Sequence, residues 1–347
     1  MTNQTPEQKE TTYYRPRRGV SKAGWAMLGT LLGFTLPTLA CIGIFFALTL
    51  GFGALGAQGG GLGGPTQILP THVSGPLTGP AVAIIEITGQ IVAGRGQGVG
   101  ATAVAASGDI IDLITAADAN PDVKVLLIRV DSPGGSPVAS DEILNALNET
   151  GLPVVVLMGD QAASGGYYIS MAADHIYANP NTLTGSIGVI STFPNVDGLL
   201  EMVGVEFNVI TAGDTKDFGS LYRDMTEEEI AYWKSLLEEV HEGFIQVVME
   251  GREMSEEDVR AVATGQVFTG KQAVELRLVD EIGYESDAIA KAALLGIVSG
   301  DPRVIRYDTP GSIFSLIGGN ASNPATQIPT QMIERLLGPQ MEFLWVR

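Results

Sequence analysis

Residues 123–136 read VKVLLIRVDSPGGS, an apolar run that ends in a turn with two adjacent glycines. A near-continuous apolar run of this length is typical of a strand buried on both faces of a sheet. The predicted strand is Val123–Val130. The pattern recurs in residues 153–167, PVVVLMGDQAASGGY, where the predicted strand Pro153–Met158 precedes a second glycine-rich turn. These two strand-turn units decide the fold class.

Helical segments separate the predicted strands. The further predicted elements around these units are the strand Ala81–Ile87 and the helices Ile110–Ala117, Val138–Asn148 and about 163–173. Strands that alternate with helices favour an α/β fold in which crossover helices connect the strands of a parallel sheet.

The N-terminal region predicts a membrane anchor. Residues 1–23 form a basic tail, and the anchor spans residues 24–55, in which Trp25–Leu50 carries no charge. This stretch exceeds the roughly 20 residues that cross a bilayer as a helix. It is also longer than the apolar core of a signal peptide, so we favour an uncleaved anchor over a cleaved one. The basic residues before it predict a cytoplasmic N-terminus and a domain on the other side of the membrane.

The rest of the chain divides by composition. Residues 56–80 are rich in Gly, Pro and Thr and predict a flexible tether. The folded domain is expected over residues 81–300, and residues 301–347 form a C-terminal extension. Within the domain we predict a strand at Phe207–Ile210 and a long helix from Thr226, whose apolar residues recur at helical spacing and indicate a packing stripe.

Composition excludes several classes of function. The formal net charge of −19 disfavours a nucleic-acid partner. The single cysteine, Cys41, rules out an internal disulfide. The three histidines, His72, His175 and His241, lack the spacing of metal ligands, so we expect no metal site.

The two glycine-rich turns are where chemistry is expected. Turns that follow neighbouring parallel strands lie side by side at the carboxyl edge of the sheet. Glycines there let backbone N–H groups approach a ligand, and two converging N–H groups are what an oxyanion hole requires. Ser164, in the second turn, opens a predicted helix. It can be either a helix cap or a nucleophile.

A serine nucleophile needs a base within hydrogen-bond reach. His175 follows Ser164 by eleven residues and enters the next strand, so its path does not obviously return to the serine. Lys216 comes directly after the predicted strand Phe207–Ile210. A lysine acts as a base only where desolvation lowers the pKa of its ammonium group. From the residues alone, Lys216 is best read as a surface-loop residue.

Five motifs carry a family resemblance. They are VKVLLIRVDSPGGS, PVVVLMGDQAASGGYYISMAAD, IYANPNTLTGSIGVI, AGDTKD and TGKQAVELRLVDEIG. In this order and spacing, the stretch from about Ala81 to Gly283 closely resembles signal peptide peptidase A, the S49 serine proteases of the Clp/crotonase fold. The membrane anchor fits the family's shorter, single-unit form.

The resemblance implies a role for each matched residue. Ser164 matches the nucleophile, Lys216 the general base, and Ser186 the serine that orients the lysine. The residues that match the oxyanion hole are Gly134, Gly135 and Gly165. One departure is Arg277, where the family usually has glycine, which predicts an altered helix end.

The function implied is that of a serine endopeptidase in the cytoplasmic membrane, with one span and its catalytic domain outside the cytoplasm. It would degrade cleaved signal peptides and other hydrophobic peptides, preferring small or apolar side chains near the cut, and it implies no cofactor. The family forms homo-oligomers whose dyad residues can come from neighbouring subunits. The alternatives are an acyl-CoA-binding crotonase-like protein and a proteolytically silent scaffold.

Overall fold

The protein is described by a computed structural model over residues 68–96, 104–308 and 341–344. The chain divides into two units, and all of these residues belong to the second, Ile68–Arg347. The predicted basic tail and anchor lie outside the described residues. None of the helices in the described part of the chain has the length and apolarity needed to span a bilayer.

Strands and helices alternate through most of the described chain. The strands are β1 (Thr71–Ser74), β2 (Ala81–Thr88), β3 (Gln90–Val92), β4 (Val104–Ala106), β5 (Val123–Ser132), β6 (Gly134–Gly135), β7 (Val154–Ala163), β8 (His175–Ala178), β9 (Leu183–Gly185), β10 (Ile190–Ser191), β11 (Val267–Thr269), β12 (Glu281–Ile282), β13 (Arg303–Tyr307) and β14 (Met341–Leu344). The helices are α1 (Ser107–Asp118), α2 (Pro137–Glu149), α3 (Gly165–Ile169), α4 (Asp197–Val203), α5 (Glu227–Arg252), α6 (Glu256–Val262), α7 (Gly270–Glu275) and α8 (Glu285–Leu295).

The main sheet runs in the order β1, β13, β2, β5, β7, β8, β12, and β9 branches from β7 to pair with β11. The pairs β13–β2, β2–β5, β5–β7, β7–β8, β8–β12 and β7–β9 are parallel. β1 and β11 are added antiparallel. This confirms the predicted α/β class, and the sheet is mixed instead of wholly parallel.

Burial on both faces explains why most of the residues of β5 are apolar. Leu126, Ile128 and Val130 belong to the larger core cluster, which also includes residues of α1, α2, α3 and α5. Val125 and Leu127 belong to the smaller cluster on the other face, which α8 covers. Successive side chains of a strand point to opposite faces, so a strand with both faces covered has few polar residues in its covered part.

A smaller second sheet lies at the site described below. Its order is β10, β14, β6, β3, β4. β3 is parallel to β4 and β6, whereas β14 is antiparallel to both β6 and β10. The glycine-rich turn after β5 is thus itself a short strand, β6.

The strand predicted at Phe207–Ile210 is wrong. Residues 205–210 have no regular secondary structure, and they are exposed. Apolar β-branched residues gave the strand pattern, but a strand needs a partner edge for its backbone groups. Phe207 instead stacks on Tyr222, with ring centroids 4.3 Å apart.

One edge of the main sheet is formed by segments that were predicted to lie outside the folded domain. β1 lies in the range predicted as a tether, and it pairs with β13, which lies in the predicted C-terminal extension.

The predicted packing stripe on α5 is confirmed for the second half of the helix, where Phe244 and Val248 are buried. Nearer the start of α5, Ile230 is exposed.

The departure at Arg277 has a structural counterpart. Arg277 follows α7 with a φ of 64°. Its N–H donates to the Val274 carbonyl at 3.0 Å, and the Leu278 N–H donates to the Ala273 carbonyl at 2.8 Å. These two bonds define a Schellman helix end, whose left-handed position favours glycine. A side chain there costs about 1–2 kcal/mol.

We therefore predict that Arg277→Gly stabilises the protein. The free energy gained by relieving the left-handed strain exceeds the entropic cost of the more flexible glycine in the unfolded chain. The net gain is about 0.5–1 kcal/mol. A thermal unfolding experiment should show a midpoint raised by about 2 °C. Arg277→Ala is the control, because it keeps the Cβ and should not gain. Equal effects of the two substitutions would contradict the explanation.

Candidate active site

Ser164 lies on the sharp turn between β7 and α3. Its φ of 54° and ψ of −117° are unusual for a residue with a side chain. Such conformations cost about 1–3 kcal/mol and persist only where the surroundings enforce them. The Ser164 hydroxyl does not cap α3, the residue is 1% exposed, and its Oγ has no hydrogen-bond partner among the described residues. The helix-cap interpretation is therefore wrong.

The two glycine-rich turns are in direct contact. A Cβ added at Gly165 would lie 3.2 Å from the Gly134 Cα and the Gly135 nitrogen, and 2.6 Å from the Ser140 Oγ. Gly134 and Gly135 have φ values of 99° and 157°. A Cβ at Gly135 would also collide with the Ile91 carbonyl. Only glycine allows the backbones to approach this closely, which brings the candidate oxyanion residues beside Ser164.

Sequence reasoning missed Ser132. This residue is fully buried at the end of β5, and its Oγ accepts a hydrogen bond from the Gly134 N–H at 3.1 Å. It stands on the same strand face as Leu126, Ile128 and Val130. A polar residue that continues a buried apolar register was the signal available in the sequence.

Ser186 occupies a position equivalent to Ser164 on the neighbouring strand. Ala163 pairs with Gly185, so each serine is the first residue after its strand. The Ser164 N–H donates to the Gly185 carbonyl at 2.8 Å. Ser186 also has a positive φ, 50°, and its Oγ lies 3.4 Å from the Gly265 carbonyl. The structure thus places Ser164, Ser186, Gly134, Gly135 and Gly165 together.

Lys216 is not part of this group within the single chain. Its side chain is exposed, and neither an ion pair nor a hydrogen bond joins it to Ser164 in the described part of the chain. It lies on residues 197–226, here called the Lys216 arm. The arm exposes large apolar side chains, with Met202 80% and Ile210 95% accessible.

An ion-pair network fixes the base of the Lys216 arm. Arg223 binds Asp217 through Nε at 2.8 Å and Glu229 through Nη2 at 2.7 Å. Glu229 also accepts the Thr226 N–H at 2.8 Å and so closes the capping box of α5. The hydrogen bond from Arg223, supported by the Thr226 N–H, lowers the pKa of Glu229 from 4.5 to about 2.

The histidines take no part in the serine group. His175 begins β8, at the edge of the sheet opposite to the strand ends that carry Ser164, and it lies 3.4 Å from Glu281. His72 is exposed and His241 lies on α5. Where the structure describes the chain, no three His, Cys, Asp or Glu side chains form a group able to hold a metal ion.

Comparison with known proteins identifies the family. Residues 146–298 match the profile of Peptidase family S49. A Synechocystis sp. protein named as a candidate protease, slr0021, is 44% identical over 186 residues, which are 53% of this chain and 66% of that protein. An Enterococcus faecium protein named as a candidate signal peptide peptidase SppA is 38% identical over 201 residues, 56% of this chain and 58% of that protein. The chain belongs to peptidase family S49.

The chain thus spans about two thirds or less of the length of these relatives. Among solved structures, a point mutant of ClpP1 from Listeria monocytogenes matches with a TM-score of 0.39 and 18% identity, covering 59% of this chain and 94% of that one. A TM-score this low does not assign a fold, so the Clp/crotonase type of fold stays a prediction.

The Arg223 network predicts an acid-sensitive arm. Because the pKa of Glu229 is lowered in the folded protein, its stabilising contribution is present above pH 4.5 and is lost as the pH falls towards about 2. Wild type should therefore have a higher urea midpoint than Glu229→Gln at pH 6, and the difference should shrink below pH 4.5. Trp233 fluorescence reports on this region, since its ring lies 5.6 Å from Phe218.

Glu228, the exposed neighbour of Glu229, supplies the control for this experiment. Glu228→Gln removes a carboxylate from the same turn of α5 without touching Arg223, and its midpoint should equal that of wild type. A difference between Glu229→Gln and wild type that stays constant from pH 6 to pH 3 would refute the explanation.

Proposed function

We propose that this chain is a membrane-anchored serine endopeptidase in which Ser164 is the nucleophile and Lys216 the general base. The observation that carries the proposal is the Ser164 hydroxyl: buried, without a partner among the described residues, and held on a strained turn against Gly134 and Gly135. A structural serine would use its hydroxyl in a hydrogen bond. A nucleophilic serine instead needs a hydroxyl that is free to attack the substrate.

The proposed reaction is acyl transfer. The neutral Lys216 amine takes the proton of Ser164 as Oγ attacks the peptide carbonyl carbon. The resulting oxyanion accepts hydrogen bonds from the N–H groups of Gly135 and Gly165. The carbon–nitrogen bond then breaks, Lys216 gives its proton to the leaving amine, and water hydrolyses the acyl-enzyme by the same route. The Gly134 N–H is already bound to Ser132, which favours Gly135 as the donor from that turn.

A second copy of the chain is proposed to supply the base. Lys216 is exposed on an arm whose apolar side chains are also exposed, and contiguous exposed apolar surface is typical of protein interfaces. Packing this arm against a neighbour would bury the apolar side chains and bring Lys216 to the Ser164 of that neighbour. Ser186 would then orient the incoming amine.

The backbone path of a peptide substrate is suggested by β14. This strand lies antiparallel between Gly134–Gly135 and Ile190–Ser191, next to the serine turn. A substrate bound in the same way would be extended and held by main-chain hydrogen bonds. Main-chain hydrogen bonds depend little on the side chains of the substrate, so this mode of binding suits varied hydrophobic peptides. Together with the names of the relatives, it supports cleaved signal peptides as one substrate class.

The predicted anchor also implies where the proposed reaction takes place. We propose that residues 24–55 cross the cytoplasmic membrane once and that the domain works on the outer side. Peptides left in the membrane would then reach the site from the bilayer surface.

The first experiment compares hydrolysis of a signal peptide by wild type, Ser164→Ala and Lys216→Ala, using the full chain in detergent. We expect both variants to lose at least about 1,000-fold in kcat, because each removes a group that acts in the transition state. Near-normal turnover by Lys216→Ala would remove the proposed base. A wild type that reacts with a serine-directed probe yet cuts no peptide would favour the scaffold alternative.

Mixing the two inactive variants tests the shared site. If Ser164 and Lys216 pair between subunits, about one quarter of the sites in randomly mixed 1:1 oligomers receive both intact groups. Activity should return to that level after joint refolding. If the pair forms within one chain, no mixture regains activity. Mixtures of each variant with itself are the control.

The hydrogen bond from Gly134 to Ser132 predicts a role for a residue that touches no substrate. Ser132→Ala leaves the Gly134 N–H without its acceptor and loosens the oxyanion turn. We expect kcat to fall about tenfold with little change in KM, because the loss is felt in the transition state. Ser140→Ala is the matched control: it also removes a buried hydroxyl, one that donates to the Ser136 carbonyl. An equal loss in both variants would contradict this role.

A further inference from the structure

Lys216 lies at a boundary in the Lys216 arm. Every residue from 201 to 216 is exposed, and partial burial begins with the next residue, Asp217. Residues 214–219 form a run of turns, in which the Lys216 N–H donates to the Gly213 carbonyl at 3.2 Å. The path of the backbone at Lys216 is therefore defined, although its side chain is exposed.

Arg223 holds the residue that follows Lys216. Its Nε donates to the Asp217 carboxylate at 2.8 Å, and its Nη2 donates to the Asp217 backbone carbonyl at 3.3 Å. The guanidinium group also binds Glu229 twice, with Nη1 donating to Oε2 at 2.8 Å and Nη2 donating to Oε1 at 2.7 Å. A fifth bond runs from Nη1 to the Asp224 carbonyl at 2.9 Å. An arginine side chain has five N–H donors, and all five are used here.

The partners of Arg223 belong to two different parts of the chain. Asp217 lies on the arm, whereas Glu229 lies in the first turn of α5, and only 10% of the Glu229 side chain is exposed. Isolated surface ion pairs contribute little, but bidentate and networked pairs of this kind fix geometry. The hydrogen bond from Arg223 lowers the pKa of Asp217, so its carboxylate stays charged at neutral pH. Arg223 thus ties the residue after Lys216 to a long helix.

An aromatic contact acts on the same side of Lys216. The Phe218 ring lies 5.6 Å from the ring of Trp233 and 6.0 Å from that of Tyr232, and both partners lie on α5. A packed ring permits small shifts, whereas the planar fork of an arginine fixes both distance and direction. We therefore expect the bonds from Arg223 to be the more exacting of the two contacts.

We propose that Arg223 is a positioning residue for Lys216, which through Asp217 fixes the direction in which the lysine amine reaches the Ser164 of a neighbouring copy. This inference rests on the proposed function. Arg223 acts through Asp217 and takes no part in the chemistry itself. Proton transfer requires the amine and the hydroxyl at hydrogen-bond distance, and a shift of about 1 Å can cost about 100-fold in rate. A flexible lysine side chain meets this requirement more often when its backbone is held.

The first test measures kcat and KM for a signal peptide, using the full chain in detergent. Arg223→Lys keeps the charge but loses the fork, so kcat should fall about tenfold to 100-fold while KM changes less than about twofold. Arg260→Lys is the matched control, because Arg260 binds Glu242 and Glu256 in a similar network and its turnover should equal that of wild type. Equal losses in the two variants, or a loss confined to KM, would overturn the proposal.

Substitutions of Asp217 separate geometry from charge. Asp217→Asn keeps an oxygen that accepts from Arg223 and should retain kcat within about threefold, whereas Asp217→Ala should lose as much as Arg223→Lys. Asp224→Ala is the control: its carboxylate lies on the same arm and accepts from Asn195 at 2.6 Å, but Arg223 binds only its backbone carbonyl. A loss for Asp217→Asn as large as that for Asp217→Ala would overturn the positioning role.

A double-mutant cycle tests whether Arg223 acts through Lys216. With an activated ester as substrate, slow turnover that depends on Ser164 but not on the lysine can still be measured. In the Lys216→Ala background, Arg223→Lys should then cost nothing further. A second loss of similar size in that background would assign Arg223 a general structural role and overturn the proposal.

Failure of the proposed function gives a different result, since Lys216→Ala would then retain near-normal turnover, which would overturn both proposals. Hydrogen exchange is a readout that needs no turnover. The amide protons of residues 213–220 should exchange about tenfold faster in Arg223→Lys than in wild type, and at the wild-type rate in Arg260→Lys. Unchanged exchange in Arg223→Lys would overturn the positioning role by itself.

Discussion

The close approach of two backbone turns is the constraint on which the site depends. Gly165 lies so near Gly134 and Gly135 that a side chain at position 165 would reach the Ser140 hydroxyl. The approach is possible because β5 and β7 are parallel neighbours, with Ser132 opposite Ala162 at the ends of the strands. The apolar residues of β5 and β7 fix this register by burying both faces of the sheet. Packing far from the turns therefore determines how closely the two backbones approach each other beside Ser164.

The α/β class and the positions of most central elements could be predicted because they depend on local patterns. Apolar runs bounded by glycine-rich turns give the strands, and the Thr226–Glu229 capping box marks the start of α5, as the structure confirms. The pattern failed at Phe207–Ile210, where β-branched residues meet no partner strand and Phe207 stacks on a ring instead. Strand propensity describes how well a residue fits into a sheet, and it does not show whether a partner strand is present.

The candidate site was predictable only in part, for a similar reason. The glycine pairs and Ser164 could be recognised from the turns they occupy. Ser132 was missed because its role depends on a hydrogen bond to a backbone N–H. The role proposed for Lys216 lies beyond any local pattern, since this residue is exposed in the described chain and makes no bond to Ser164 there. The single chain brings Ser164 and the glycine pairs together, whereas it does not bring Lys216 to them.

The antiparallel strand β14 has a consequence for how such a site meets its ligands. Backbone groups of Gly134–Gly135 and Ile190–Ser191 are already occupied by residues 341–344 of the same chain. A strand of the same chain competes with a free ligand intramolecularly, so dilution does not weaken it. A peptide that used the same edge would therefore have to displace β14, and a peptide that bound this edge more weakly than β14 does would fail to displace it.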